Sequence, residues 1–252
     1  MEDRITGLSP RARARLAGAF EALEGLPAAF GQTIVLGLLV VTGNAAATAH
    51  NILAHETLYR LGFAIPLLAV AFHIAWAVLF YQLFRPVNET INLLATFAIL
   101  VGCALQASAA VLYIAPLLIL ENGAGLEAFD IAQRQDLALA LVNVSHQAFD
   151  VYIIFFGFWC VLTGYLIFRS GFLPRILGVL LALDGVGWMT YLWPPLATSI
   201  FPVIADVAGF AEFPLVIWLI VFGVNNQRWY EQARTAGMAA GTRGMSIHKE
   251  MA

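Results

Sequence analysis

The sequence predicts an all-α fold, a polytopic membrane helix bundle with six transmembrane helices and both termini in the cytoplasm. Hydrophobic residues make up 61% of the 252 residues and charged residues only 12%, with a mean hydropathy of +0.81. A water-soluble domain of this composition could not cover its surface with polar groups, so lipid must be the solvent for much of the chain. The length allows about six or seven spans of roughly 20 residues each.

Six apolar stretches predict the spans, at about 31–53, 62–84, 91–118, 137–168, 176–193 and 201–224. Residues 1–30 precede them as a basic, partly amphipathic segment on the cytoplasmic side. Residues 31–226 form the membrane domain, and residues 227–252, rich in Gly, Ala and charge, are expected to be a flexible cytoplasmic tail.

The distribution of Lys and Arg sets the predicted orientation, because these charges resist translocation. With the N-terminus inside, only Arg60 and Arg134 of the 13 Lys and Arg residues lie outside, which leaves 13 − 2 = 11 in the cytoplasm. An even number of spans returns the C-terminus to the same side. We therefore expect a multi-pass membrane protein with both termini in the cytoplasm.

Several ionisable side chains fall inside the predicted spans, where each costs at least about 2.5–3.5 kcal/mol unless it has a partner, a proton or a cavity. Counting about 1.5 Å per residue from the helix ends brings five of them to a similar depth near the bilayer midplane. With a nearby amide on the first span, the candidate site residues are His73, His146, Asp150, Asp184, Glu212 and Asn44.

His146 and Asp150 form the most specific local arrangement, since a spacing of four residues places them on one helix face. A carboxylate beside an imidazole can orient a general base, contribute to a metal site, or form a hydrogen bond that only packs the bundle. The further ionisable residues at similar depth favour a functional role, because Ser, Thr or Asn would serve packing at lower cost.

Some functions are excluded by what the sequence lacks. Lys249 is the only lysine and lies outside every span, so no covalent retinal can be bound through a Schiff base. The net charge of −3 and the pI of about 5.9 argue against nucleic acid as a partner. Cys103 and Cys160 lie in different apolar segments, which predicts two buried thiols and no disulfide.

One group of motifs is similar to a known family. Phe155-Phe156-Gly157, Gly164-Tyr165-Leu166-Ile167 and the stretch from Arg169 to Gly178 resemble the signature of the bacterial domain-of-unknown-function family 4386. The ending with Glu212, Trp218-Leu219-Ile220 and Gly223-Val224-Asn225 resembles its last helix. The resemblance covers most of residues 30–226 in layout and is most specific in 146–183, although Phe158-Trp159 departs from it. It implies a multi-helix inner-membrane protein without a known activity.

The leading functional hypothesis is a membrane protein that binds a small hydrophobic or lipid-like molecule in a cavity lined by midplane polar residues, with membrane lipids as its surroundings. One alternative is an intramembrane metal-dependent lipid hydrolase, in which His146 and Asp150 help to bind Zn or Fe. Another alternative is a proton-linked small-molecule carrier that uses Asp184 and Glu212.

Overall fold

The computed structural model describes residues 8–121 and 128–237. In this part of the chain the protein is helical and has no strand. Six helices are long and apolar enough to cross a membrane: Pro10–Leu39, Glu56–Phe84, Glu89–Leu120, Ile131–Ser170, Arg175–Leu192 and Pro194–Val221. The predicted fold class, a six-helix polytopic membrane bundle, is confirmed, while the orientation of the termini stays a prediction.

The first of these helices begins about 20 residues earlier than predicted. It consists of α1 (Pro10–Ala29), a π-helical stretch (Phe30–Val35) and α2 (Leu36–Leu39). Pro27 inside α1 removes a backbone donor, and a change to π-helical hydrogen bonding just beyond it lets the helix continue. The chain then turns through Gly43, whose φ of 72° is left-handed, and enters the separate helix α3 (Ala45–Ala54). The span predicted at 31–53 is therefore divided between two helices.

The remaining spans agree with the predicted stretches to within several residues at most ends. They are α4 (Glu56–Phe84), α5 (Glu89–Leu120), α6 (Ile131–Ser170), α7 (Arg175–Met189) with a 3-10 turn Thr190–Leu192, and α8 (Pro194–Val221). The short connection between α6 and α7 turns at Gly171, with a φ of 67°, and Pro174 is the N-cap of α7.

The predicted tail begins as a helix. Residues 226–237 form α9, and residues 238–252 lie outside the described part, as do residues 1–7 of the N-terminal segment. Trp229 of α9 is buried, and its indole Nε1 donates to the carbonyl oxygen of Leu83 at 2.8 Å. The start of α1 binds the same region, because Arg15 donates to the carbonyl oxygen of Val221 and the Arg11 amide donates to Asn226, both at 2.8 Å.

The chain divides into two compact units. Their described residues are 8–19, 75–99 and 156–237 in the first unit, and 20–74, 100–121 and 128–155 in the second. The first unit has an aromatic core in which the Trp159 ring lies 4.4 Å from Trp76 and 5.4 Å from Phe80, between centroids. The core of the second unit includes Ile52, Tyr59 and Tyr113.

Two glycine contacts join α6 to α7 within the first unit. A Cβ atom added at Gly164 would lie 2.6 Å from the carbonyl oxygen of Gly178, and one added at Gly185 would lie 2.5 Å from that of Gly157. Small residues at such positions let two helix backbones approach closely, which is a common way to pack helices in lipid.

Cys103 and Cys160 are both buried, as the sequence predicted.

Candidate functional site

A buried pair of ionisable side chains joins α1 to α4 in the second unit. The Nδ1 atom of His73 lies 3.0 Å from Oε1 of Glu24. The His73 side chain is fully buried and that of Glu24 is 8% exposed. Since two ionisable groups at this depth need each other to offset their desolvation, we treat the Glu24–His73 pair as the centre of the candidate site.

Helices α5 and α6 each add a side chain to the surroundings of this pair. The buried thiol of Cys103 is a neighbour of the His73 ring. The Tyr152 ring meets the imidazole edge-on, with centroids 6.1 Å apart and an angle of 82° between the planes. Side chains from four helices thus meet at the pair, and its described neighbours include an aromatic ring and a thiol.

About two helical turns away, the same spans carry uncharged polar side chains. Gln32 donates through Nε2 to the Ser145 hydroxyl at 2.8 Å, and that hydroxyl donates to the carbonyl oxygen of Ala109 at 3.2 Å. Beside them lies a small cavity of about 20 Å³, which we call the glutamine cavity. Its lining consists of Ala28, Gly31, Gln32, Gly62, Pro66, Gln106, Ala109, Ala110, Tyr113 and Phe149.

His146 and Asp150 lie one turn apart on α6, also in the second unit, but in different surroundings. The Asp150 carboxylate is largely buried and accepts a long hydrogen bond of 3.5 Å from Gln147 Nε2, whereas His146 is exposed. Among the described residues, no three His, Cys, Asp or Glu side chains come together as a metal site would require. In the described part of the chain, His146 and Asp150 therefore offer two ligands to the metal ion that the metal-dependent alternative requires.

Asp184 and Glu212 lie near each other in the first unit, on α7 and α8. Asp184 is fully buried, and Glu212, Trp188 and Cys160 are among its neighbours. The Trp188 indole Nε1 donates to Oε1 of Glu212 at 3.3 Å. These side chains form a second acidic cluster, which belongs to a different unit from the Glu24–His73 pair.

Asn44 has a local structural role at the start of α3. It is the N-cap of α3 with an extended backbone, and its side-chain oxygen accepts a hydrogen bond of 2.9 Å from the Ala47 amide. The residue is exposed, in the turn between two helices. Capping satisfies one of the free amide donors at a helix start, so the geometry explains an asparagine here without a ligand.

Glu24 is the residue that the sequence analysis did not identify. It was assigned to the cytoplasmic N-terminal segment because four arginines occur in residues 1–30. A signal was nevertheless present, since residues 22–39 contain no charged residue other than Glu24. A single carboxylate in an 18-residue apolar stretch is compatible with a span when a partner is available, and His73 is that partner.

The comparisons with known proteins bear on the extent of the domain. The family described as domain of unknown function DUF4386 matches residues 16–223, which is most of the chain. The chain belongs to the DUF4386 family. The DUF4386 match includes Glu24 and His73 as well as Asp184 and Glu212, so the Glu24–His73 pair and the acidic cluster both lie inside the family domain. Neither the curated proteins nor the solved structures contain a match to the chain.

Proposed function

We propose that this protein is a proton-linked carrier of a small molecule, in which the Glu24–His73 pair binds and releases the coupled proton. The observation that carries the proposal is the 3.0 Å contact between two fully or nearly buried ionisable groups on spanning helices. Ionisable side chains within membrane spans commonly mark proton relays and ion pathways.

The charge balance of the pair explains why proton exchange would require a change of conformation. An imidazolium with a carboxylate, or an imidazole with a carboxylic acid, is neutral overall. Loss or gain of one proton leaves a net charge among Tyr152, Cys103 and apolar neighbours, and a buried net charge is costly. The proton would therefore leave when the pair opens to water or when a charge on the substrate compensates the net charge of the pair. Either event would link release of the proton to transport of the substrate.

The two other hypotheses have less support from the described residues. The glutamine cavity, at about 20 Å³, is far smaller than the roughly 300–1,000 Å³ of typical ligand pockets, so it does not support a lipid-like ligand. The metal-dependent hydrolase requires at least three ligands, and His146 with Asp150 supplies two in the described part of the chain.

The acidic cluster of Asp184 and Glu212 is compatible with the proposal as a second proton-binding group. Two neighbouring carboxyl groups on different helices are costly to hold when both are charged, so a proton shared between them is favourable. The proposal does not depend on this cluster, because Glu24 and His73 form a complete pair in the second unit.

Proteoliposomes with a trapped pH indicator provide the test. A pH gradient is imposed and a panel of small amines, amides, alcohols and carboxylic acids is added one at a time. We expect wild-type protein to move protons when one of these solutes is present, and Glu24→Gln to abolish that movement. The matched control is Glu89→Gln, because Glu89 is a solvent-exposed glutamate on α5 whose only described ionic contact is the exposed pair with Arg85.

Two results would contradict the proposal. One is a wild-type protein that moves no protons with any solute of the panel. The other is Glu24→Gln protein that transports at the wild-type rate, because the pair would then have no part in coupling.

A further inference from the structure

The glutamine cavity contains polar atoms that no protein group satisfies. Within residues 8–121 and 128–237, neither end of the Gln106 amide has a hydrogen-bond partner, and the same is true of Gln32 Oε1 and of the Tyr113 hydroxyl. All three side chains are more than nine-tenths buried, and all three line the cavity. Gln32 Nε2 donates a hydrogen bond to the Ser145 hydroxyl, and the backbone carbonyl oxygen of Tyr113 accepts one from the Tyr59 hydroxyl.

Such a concentration of unsatisfied groups is unusual. Native proteins leave few buried polar atoms without a partner, because each one loses its bonds to water and gains nothing in return. Here four such polar atoms belong to three side chains that line one small space. A molecule that enters this space and bonds to them would remove the cost of all four at once.

We infer that the glutamine cavity is a binding site for a single water molecule. A water molecule needs about 10–15 Å³ of such space and two to four polar partners. The cavity offers about 20 Å³ and three side chains. The side-chain oxygens of Gln32 and Gln106 can accept hydrogen bonds, Gln106 Nε2 can donate them, and the Tyr113 hydroxyl can do either. A molecule that both donates and accepts hydrogen bonds therefore matches these groups.

The lining disfavours ions and larger molecules. Among the described residues it contains no carboxylate and no basic side chain, so a bound cation or anion would be a buried charge without a counter-charge. The Gln106 amide also presents a donor, which a cation would repel. The remaining wall is apolar and includes Ala28, Pro66 and Phe149, which leaves no space for the carbon skeleton of a larger solute. The inference is independent of proton-linked transport.

Radiolytic footprinting with mass spectrometry tests the site, because X-ray pulses convert bound water into hydroxyl radicals that modify adjacent side chains. In the purified full-length protein we expect Tyr113 to be modified strongly despite its burial. Trp159 is the control, since it is equally buried but packs among Trp76, Phe80 and Phe156. In Gln106→Leu, which replaces the amide by an apolar group of similar size, modification of Tyr113 should fall severalfold.

Tyr113→Phe provides a second route if Gln106→Leu does not fold. It removes one hydroxyl from the cavity, and the readout is modification of Phe149, which we expect to decrease relative to wild type. The water site is overturned if Tyr113 in wild-type protein is as protected as Trp159, or if its modification is unchanged in Gln106→Leu. A melting temperature that rises with Na⁺ or K⁺ in wild type but not in Gln106→Leu would also overturn it, in favour of a cation site.

Discussion

Because Glu24 and His73 form a buried pair, substitution of either residue should lower the free energy of unfolding. His73→Leu leaves a carboxylate among apolar neighbours, and loss of one partner of a buried ion pair typically costs about 3–5 kcal/mol of unfolding free energy. Glu24→Leu should cost less, about 1–3 kcal/mol, because the remaining imidazole can become neutral by releasing its proton. Unfolding in mixed detergent micelles measures both values.

The double variant separates a coupled pair from two independent residues. Glu24→Leu combined with His73→Leu removes both charges and supplies apolar volume, so its stability should lie near that of wild type or above it. Glu89→Ala, at an exposed ion pair with Arg85, should change stability by about 1 kcal/mol at most. If the two single costs simply add in the double variant, the pair is not coupled.

Asn44 allows a capping role to be tested against a ligand-binding one. Asn44→Ala removes the acceptor for the Ala47 amide and should cost about 1 kcal/mol of unfolding free energy. Asn44→Asp keeps a capping oxygen and should retain the stability of wild type. Thermal unfolding of the two variants distinguishes the two roles, and an equal loss of stability in both variants would contradict the capping role.

At the scale of helices, the contact between α6 and α7 depends on glycine. Gly185→Ala places a Cβ atom 2.5 Å from the Gly157 carbonyl oxygen and 2.8 Å from the Cys160 side chain, so the helices must separate. We expect a loss of about 1–3 kcal/mol. The control is Gly209→Ala in α8, where an added Cβ atom meets nothing within 4 Å and should stabilise the helix by about 0.5–1 kcal/mol.

Unfolding of these two glycine variants in the same detergent gives the comparison directly. If Gly185→Ala is as stable as Gly209→Ala, the close approach of α6 and α7 described here is wrong.

Most helices could be predicted from the sequence, and the exception has a physical reason. Helices α4 to α8 are long apolar runs separated by Gly, Pro and charged residues, so local composition defines them. The first span was misplaced because a hydropathy scale counts Glu24 as an unpaired charge, which makes α1 look too polar to cross a membrane. His73 offsets that cost, but it lies 73 − 24 = 49 residues further along the chain, where no local scale detects it.

The same limit applies to the candidate site. Depth counting identified His73 as a buried histidine and Asp184 and Glu212 as residues at similar depth. It could not show that Glu24 is the partner of His73, because partnership across helices depends on the rotation of each helix about its axis. Asn44 was placed in mid-span only because the break after Leu39 was not foreseen.

At the scale of the whole molecule, the orientation of the bundle is the main prediction. With six spans and an N-terminus in the cytoplasm, the connection between α4 and α5 lies inside and the one between α5 and α6 lies outside. In intact cells, a membrane-impermeant maleimide should therefore label Asp130→Cys and leave Asn88→Cys unlabelled until the membrane is broken.

The chain's own cysteines serve as the background in this experiment, since Cys103 and Cys160 are buried and should not react. Labelling of Asn88→Cys in intact cells with protection of Asp130→Cys would reverse the orientation.

The most direct measurement of the central claim is infrared difference spectroscopy of the protein in membranes, recorded before and after addition of a solute that drives proton movement in proteoliposomes. We predict a carboxyl band that changes on solute addition in wild-type protein, is absent in Glu24→Gln, and is unaffected in Glu89→Gln. A spectrum in which Glu24→Gln removes no solute-dependent carboxyl band would contradict the claim that the Glu24–His73 pair exchanges a proton.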